Sequence, residues 1–184
     1  MKYIAFLRAV NVGGHNKIKM DALKKLFVSL GYKNVETVIQ SGNVIFETLE
    51  KNVSAITTKI EKKVNEFMKK DIAVFVRTFS ELSKIVISNP FGKTKADDKI
   101  KTYVFFLYKE PEGKLKLPLV SPNKEINVFE KINLSLFMLV KKIPGKASSP
   151  NDFIEKTFGV PVTARNWNVV CNIVEKASAQ NHET

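Results

Sequence analysis

Two helix-periodic segments, each set among short β-rich runs, constrain the first half of this chain more than any other feature. Tyr3 to Arg8 is a short apolar run that breaks at Asn11-Val12-Gly13-Gly14-His15-Asn16. Met20, Leu23, Phe27 and Leu30 then recur at helical spacing, and Gly31 is placed to end that helix. Val35 to Gln40 and Val44 to Phe46 are β-rich on either side of Ser41-Gly42-Asn43, a tight-turn signal in which Gly42 and Asn43 tolerate positive φ. Asn52 caps a second helix with Val53, Ile56, Ile60, Val64 and Phe67 on one face, and Ile72 to Arg77 closes the set as a strand. Strand, helix, strand, strand, helix, strand is the ferredoxin-like plan. In such a sheet the first and third strands are antiparallel neighbours. The end of the first strand then adjoins the start of the third, which puts Arg8 and Asn11 to Lys17 on one rim with Gln40, Ser41, Gly42 and Asn43.

The second half reads as a related α/β pattern. A short helix is expected around Glu81 to Ile87, then Asn89-Pro90-Phe91-Gly92 breaks the chain before a polar link from Lys93 to Lys99. Thr102 to Tyr108 is a strand, followed by a Pro- and Gly-containing stretch from Pro111 to Pro122. Glu125 to Glu130 and Leu134 to Val140 form a hairpin turning near Asn133. Ser149 sits where a helix N-cap belongs, with Pro150 at the first helical position, Asp152 in the first turn and Gly159 past the end. Val160 to Ala164 is a final strand, and Trp167, Val170, Cys171 and Val174 mark the last helix. The fold class is therefore α+β: two ferredoxin-like (βαββαβ-type) subdomains with antiparallel sheets, residues 1–92 and 93–184. No short repeat is visible along the chain.

Composition narrows the setting. The 184 residues are 44% hydrophobic and 26% charged, which excludes a disordered or fibrous chain. One cysteine (Cys171) forms no internal disulfide, and two histidines (His15, His182) build no Cys/His zinc cage, so no metal and no cofactor are expected. The longest apolar runs are strand-sized, the N-terminal one is shorter than a signal-peptide core, and a cytoplasmic location without a membrane partner follows as an expectation. Net charge is +12, yet only three of the thirty basic residues are Arg (Arg8, Arg77, Arg165). The excess is spread along both halves instead of being gathered in a basic arm, so scattered Lys reads first as a solvated surface.

Three segments carry candidate chemistry. Arg8 with Asn11, Gly13, Gly14, Asn16 and Lys17 places a Gly pair between a strand and a helix, where free amide N–H groups can face an anion. It matches neither a dinucleotide fingerprint nor a phosphate-binding P-loop, and its plain reading is a βα turn. Gln40 to Asn43 either completes a hydrogen-bonding pocket with that loop or braces it. Arg165, Asn166, Trp167 and Asn168 stand at the junction of the last strand and last helix, where Asn166 or Asn168 caps the helix and Trp167 anchors it. Alternatively, Arg165 holds an anion or carboxylate. Conventional catalysis has little support: no carboxylate is placed to orient His15 toward Ser41, Asp97-Asp98 reads as a solvated link, and Cys171 reads as a small buried residue.

Taken together, Arg8-Ala9-Val10-Asn11-Val12-Gly13-Gly14, the Ile39-Gln40-Ser41-Gly42-Asn43-Val44 turn and Gly159-Val160-Pro161 leading to Arg165-Asn166-Trp167-Asn168 resemble the uncharacterised bacterial family known as domain of unknown function 1697. The resemblance runs from about Lys2 to Val174. It implies two ferredoxin-like subdomains and no assigned activity. This chain departs from the family pattern at Ala9, where the family has Gly, and at Val169, where it has Thr.

The leading functional expectation is a binding module for a small anionic ligand or a protein partner at a polar rim between the subdomains, with Arg165 to Asn168 closing over it. The alternative is RNA or other nucleic-acid binding, against which Asn43 and Ile45 stand where an RNA-recognition sheet needs aromatics. A third reading is an enzyme on a small phosphorylated substrate using His15, which no observation requires. Oligomeric state stays open.

Overall fold

The computed structural model describes residues 1–11, 16–39, 41–92, 94, 99–113, 115–142 and 149–180. The described chain divides into two compact units, Met1–Ser83 with Ile173–Thr184, and Lys84–Asn172. Both are mixed α and β, each around its own antiparallel sheet. Among the described residues no helix is long and apolar enough to cross a membrane.

In the first unit β1 (Lys2–Leu7), α1 (Met20–Ser29), β2 (Lys33–Val38), β3 (Asn43–Glu47), α2 (Val53–Met68) and β4 (Val74–Thr78) follow one another as the periodicity requires, and α3 (Phe79–Ser88) succeeds β4 directly, its residues from Lys84 on belonging to the second unit. The strands pair in the order β2-β3-β1-β4. Alternation along β1 sends Tyr3, Ala5 and Leu7 to one face, where Val44, Phe46, Val74 and Val76 join Leu23, Leu26 and Phe27 of α1 and Ile56, Ile60 and Val64 of α2 in one core. Phe46 is its aromatic centre, with Tyr32 at 4.6 Å, Phe27 at 5.4 Å and Tyr3 at 5.8 Å between ring centroids. Asn52 caps α2 as expected, its side chain accepting from Ala55 N–H, and Gly31 takes φ +84° just past α1.

The second unit holds β5 (Ile100–Leu107), β6 (Leu119–Val120), β7 (Ile126–Ile132), β8 (Ser135–Lys141), α4 (Pro150–Phe158), β9 (Val162–Asn166) and the start of α5 (Trp167–Ala179), with strand order β6-β7-β8-β5-β9. Its core gathers Phe105, Leu107, Val128, Leu136, Met138 and Ile154 under α4. Pro150 opens α4 and Gly159 ends it at φ +64°, but Ser149 makes no side-chain capping bond. One element departs from the βαββαβ expectation. Between β5 and β7 there is no helix among the described residues. Leu115, Leu117 and Leu119 of that extended stretch pack on the core instead, and β6 extends the sheet.

Apart from that crossover, the two sheets are built alike strand for strand. Tyr3, Ile4, Ala5, Phe6 and Leu7 pair with Thr78, Arg77, Val76, Phe75 and Val74; Tyr103, Val104, Phe105, Phe106 and Leu107 pair with Asn166, Arg165, Ala164, Thr163 and Val162. On the other side Phe6 faces Asn43 as Phe106 faces Ser135. Leu7 N–H donates to Gly42 O at 2.8 Å, and Leu107 N–H donates to Leu134 O at the same distance. Arg8 N–H reaches Ala73 O at 2.9 Å, and Tyr108 N–H reaches Pro161 O at 3.0 Å. The chain thus repeats one module, at the level of register rather than of letters.

Candidate functional site

The rim at the end of β1 starts from those two backbone bonds, which grip the strand between the turn before β3 and the segment before β4. Beyond them the chain must bend back toward α1, and it does so through left-handed residues: Ala9 at φ +52°, Asn11 at +55° and Asn16 at +48°. Asn tolerates that conformation because its short carboxamide bonds local backbone. Both carboxamides here are used in this way. Asn11 Nδ2 donates to Ile18 O and Asn11 Oδ1 accepts from Ile18 N–H, both at 2.9 Å, which closes the loop like a clasp. Asn16 Nδ2 donates to Ala9 O at 3.1 Å, while Lys70 Nζ donates to Asn16 Oδ1 at 2.9 Å. Val10 is buried, Arg8 is half-buried and Lys17 is exposed. Gly13 and Gly14, with His15, lie outside the described residues.

The turn before β3 meets this loop. Gly42 takes φ +69°, and a Cβ there would stand 3.1 Å from both Leu7 Cβ and Val10 Cβ, so the two segments touch backbone to side chain. Positive φ falls on Ile39 and Gly42; Asn43 is instead the first residue of β3, correcting the turn expectation. It is fully buried, and its Nδ2 donates to Val38 O and Ser41 Oγ, both at 3.0 Å. Gln40 lies outside the described residues. The geometry thus brings Arg8, Asn11, Asn16, Ser41, Gly42 and Asn43 into two adjoining loops, in which Asn11, Asn16 and Asn43 brace the backbone.

The third segment belongs to the second unit. Arg165 is buried inside β9, one residue before its end, and its Nη1 donates to Thr163 Oγ1 at 3.0 Å and Ala164 O at 2.7 Å. Removal from water lowers its pKa to about 10. Arg77 holds the same register on β4, with Nη1 donating to Val76 O at 2.8 Å. Burial lowers its pKa to about 10 as well, partly opposed by Glu81 four residues on. A guanidinium recurring at one register in both units belongs to the module's architecture. Between Val74-Phe75-Val76-Arg77-Thr78-Phe79 and Val162-Thr163-Ala164-Arg165-Asn166-Trp167 only the opening Val, the Arg and the closing aromatic recur, too little to mark a repeat without the pairing. Asn166 Oδ1 accepts from Asn168 N–H at 3.1 Å, as a helix cap does, and the exposed Asn168 opens α5 behind Trp167. Trp167 packs on Phe91 at 5.2 Å and Phe137 at 6.5 Å. Cys171 is half-buried, not enclosed, and burial raises its thiol pKa. Among the described residues no cluster of three His, Cys, Asp or Glu is arranged to hold a metal ion; His15, Asp97 and Asp98 lie outside them.

Fold and rim together define a class: a mixed α and β protein of two antiparallel sheets, one of which carries paired polar loops at the end of its first strand. A family model described as "Protein of unknown function (DUF1697)" matches residues 1–137, and the chain belongs to that family. The matched span takes in the Arg8–Gly14 and Ile39–Val44 motifs, whereas Gly159–Asn168 lies beyond it. The fold is also that of the conserved bacterial protein SP0830 from Streptococcus pneumoniae. Its structure aligns at a TM-score of 0.66 and 18% identity, covering 96% of this chain and 98% of that one. No curated protein matches the chain.

Proposed function

We propose that each unit is a ferredoxin-like module and that the loop rim of the first binds a small anionic ligand. The observation that carries this reading is the difference between two modules sharing one register. The second unit joins its middle strands through only Asn133 and Leu134 and makes the same backbone bond to the end of its first strand. The first unit spends residues 39–42 on that connection and adds the clasped Asn11–Ile18 loop beside it. Where the first unit buries Asn43, the second has Ser135, whose hydroxyl has no hydrogen-bond partner among the described residues. The fold therefore does not require the polar elaboration, and loops elaborated on a rigid scaffold are where binding residues concentrate. Its chemistry favours an anion: residues 8–19 and 39–43 include Arg8, Lys17 and Lys19 and no carboxylate. A single thiol and the absence of any disulfide pair support a cytoplasmic setting for this activity.

The test is a thermal-shift series with inorganic phosphate, sugar phosphates, nucleotides and short RNAs. A ligand at about 100 times its Kd stabilises by about 2.7 kcal/mol, which raises Tm by roughly 5–10 °C for a chain of this length. Arg8→Ala is expected to leave the unliganded Tm within about 2 °C and to remove the ligand's shift, since Arg8 is only half-buried. An undiminished shift in Arg8→Ala refutes the reading.

A further inference from the structure

The rim of the first unit has a third side, which none of its sequence motifs contains. Because β1 lies between β3 and β4, its end adjoins the start of β4 as well as the turn before β3. Leu7 pairs with Val74, and Arg8 N–H bonds Ala73 O. The segment joining α2 to β4, residues 69–73, therefore flanks the rim on the other side of β1 from the Gly42 turn. Lys70 of this segment reaches the clasped loop. Its Nζ donates to Asn16 Oδ1 at 2.9 Å, while Asn16 Nδ2 holds Ala9 O. Asn16 and Lys70 are 54 residues apart in the chain, so only the fold brings them together.

The second unit again supplies the comparison. Its equivalent connection, between α4 and β9, is the uncharged Gly159-Val160-Pro161, whereas the first unit uses Lys69-Lys70-Asp71-Ile72-Ala73. Both helices end on a left-handed residue, Gly159 at φ +64° and Lys69 at φ +53°. Glycine takes that conformation freely and lysine only at a cost, so the module does not call for a lysine there. The segment's one acid, Asp71, is engaged by α2, its Oδ1 accepting from Asn65 Nδ2 at 3.2 Å. Lys70 itself is exposed, makes no ion pair among the described residues and is held by a neutral carboxamide, so its charge is uncompensated. One of its three ammonium protons serves Asn16 and two are left for a ligand.

Arg8 brings a planar fork and Lys70 a point charge from the two sides of one loop, which Lys17 also occupies. A carboxylate or a phosphodiester carries a single charge on two free oxygens and leaves much of that excess unmatched. A terminal phosphate carries nearly two charges on three acceptor oxygens at pH 7. We infer that the rim selects a doubly charged terminal phosphate, free or as a monoester, and that Lys70 is the residue that makes the selection. This assignment rests on the anion reading of the rim given above.

Amide-resolved NMR titrations at about pH 8, where a monoester is doubly charged, test it with methyl phosphate, inorganic phosphate and the singly charged dimethyl phosphate. Methyl or inorganic phosphate is expected to give saturable shifts at Arg8, Asn16 and Lys70, about tenfold tighter than dimethyl phosphate. The tighter of the two identifies an ester or the free ion as the source. Lys70→Met should remove most of that preference and leave Tm unchanged, since Lys70 is exposed. Lys33→Met takes the same charge from the far end of the sheet, where Lys33 pairs with Glu47, and should alter neither affinity by more than about twofold. Equal affinities for singly and doubly charged probes, or a Lys70→Met protein no different from Lys33→Met, overturn the inference. Anion binding lost in Arg8→Ala but intact in Lys70→Met sinks this assignment and leaves the anion reading standing. Silence of all three amides toward every phosphate sinks both.

Discussion

Gly42→Ala measures how tightly the two rim loops are locked together, and Gly31→Ala supplies its control. Both glycines have positive φ, +69° and +84°, so an alanine at either meets the same left-handed penalty of about 1–2 kcal/mol. Part of that is returned in both cases because alanine stiffens the unfolded chain by about 0.4–1 kcal/mol. Their surroundings differ. A Cβ at Gly31 meets nothing within 4 Å, whereas one at Gly42 meets Leu7 Cβ and Val10 Cβ at 3.1 Å and Leu7 O at 3.3 Å. None of these neighbours is the far end of a flexible side chain, so relief requires moving backbone that carries the Leu7–Gly42 bond. Overpacking of this kind costs about 1–3 kcal/mol. Gly31→Ala should therefore lose at most about 1.6 kcal/mol, and Gly42→Ala about 1–3 kcal/mol more. Urea denaturation followed by far-ultraviolet circular dichroism reads both from the midpoint at constant m. Losses agreeing within about 0.5 kcal/mol would mean that the rim gives way freely and that the loops are not locked.

Two tyrosines in the same core should respond oppositely to loss of the hydroxyl. Tyr3 Oη donates to Glu50 O at 3.0 Å, so Tyr3→Phe should cost about 1 kcal/mol; Tyr32 Oη is buried without a hydrogen-bond partner among the described residues, so Tyr32→Phe should be neutral or stabilising by chemical denaturation. Burial, with Glu50 second, raises the Tyr32 phenol's pKa, so the folded state keeps its proton where the unfolded state begins to lose it. That contribution is whole below about pH 10 and is lost as pH rises past it, and Tyr32→Phe should flatten the alkaline fall of a stability-against-pH curve. Ala9→Gly should stabilise by up to about 1 kcal/mol, because Ala9 is held at φ +52° on an exposed loop; a loss in the same melt would show that its methyl group is used.

Local signals carried most of the first unit. Leu23 and Phe27, the Asn52 cap and Gly31 past α1 placed two helices, and the order of elements gave the pairing of β1 between β3 and β4. What the letters could not give was register. Arg165 reads as a residue after a strand ending at Ala164, yet pairing with Val104 carries β9 on to Asn166 and buries the guanidinium. Asn43 reads as a turn former by composition, whereas its pairing with Phe6 makes it the buried start of β3. The repeat was invisible for the same reason: Phe105 stands where Ala5 does and Ser135 where Asn43 does, so identity is lost while hydrogen-bond order is kept.

The first unit is not one stretch of chain. Ile173, Val174 and Ala177 are buried, Gln180 Nε2 donates to Glu36 Oε2 at 2.7 Å, and Lys2 Nζ bonds Ala177 O. During synthesis the Lys2 bond to Ala177 O, unlike its ion pair with Glu47, must wait until α5 has left the ribosome. A nascent fragment that stops before α5 should therefore be open to proteases that the chain carrying α5 resists.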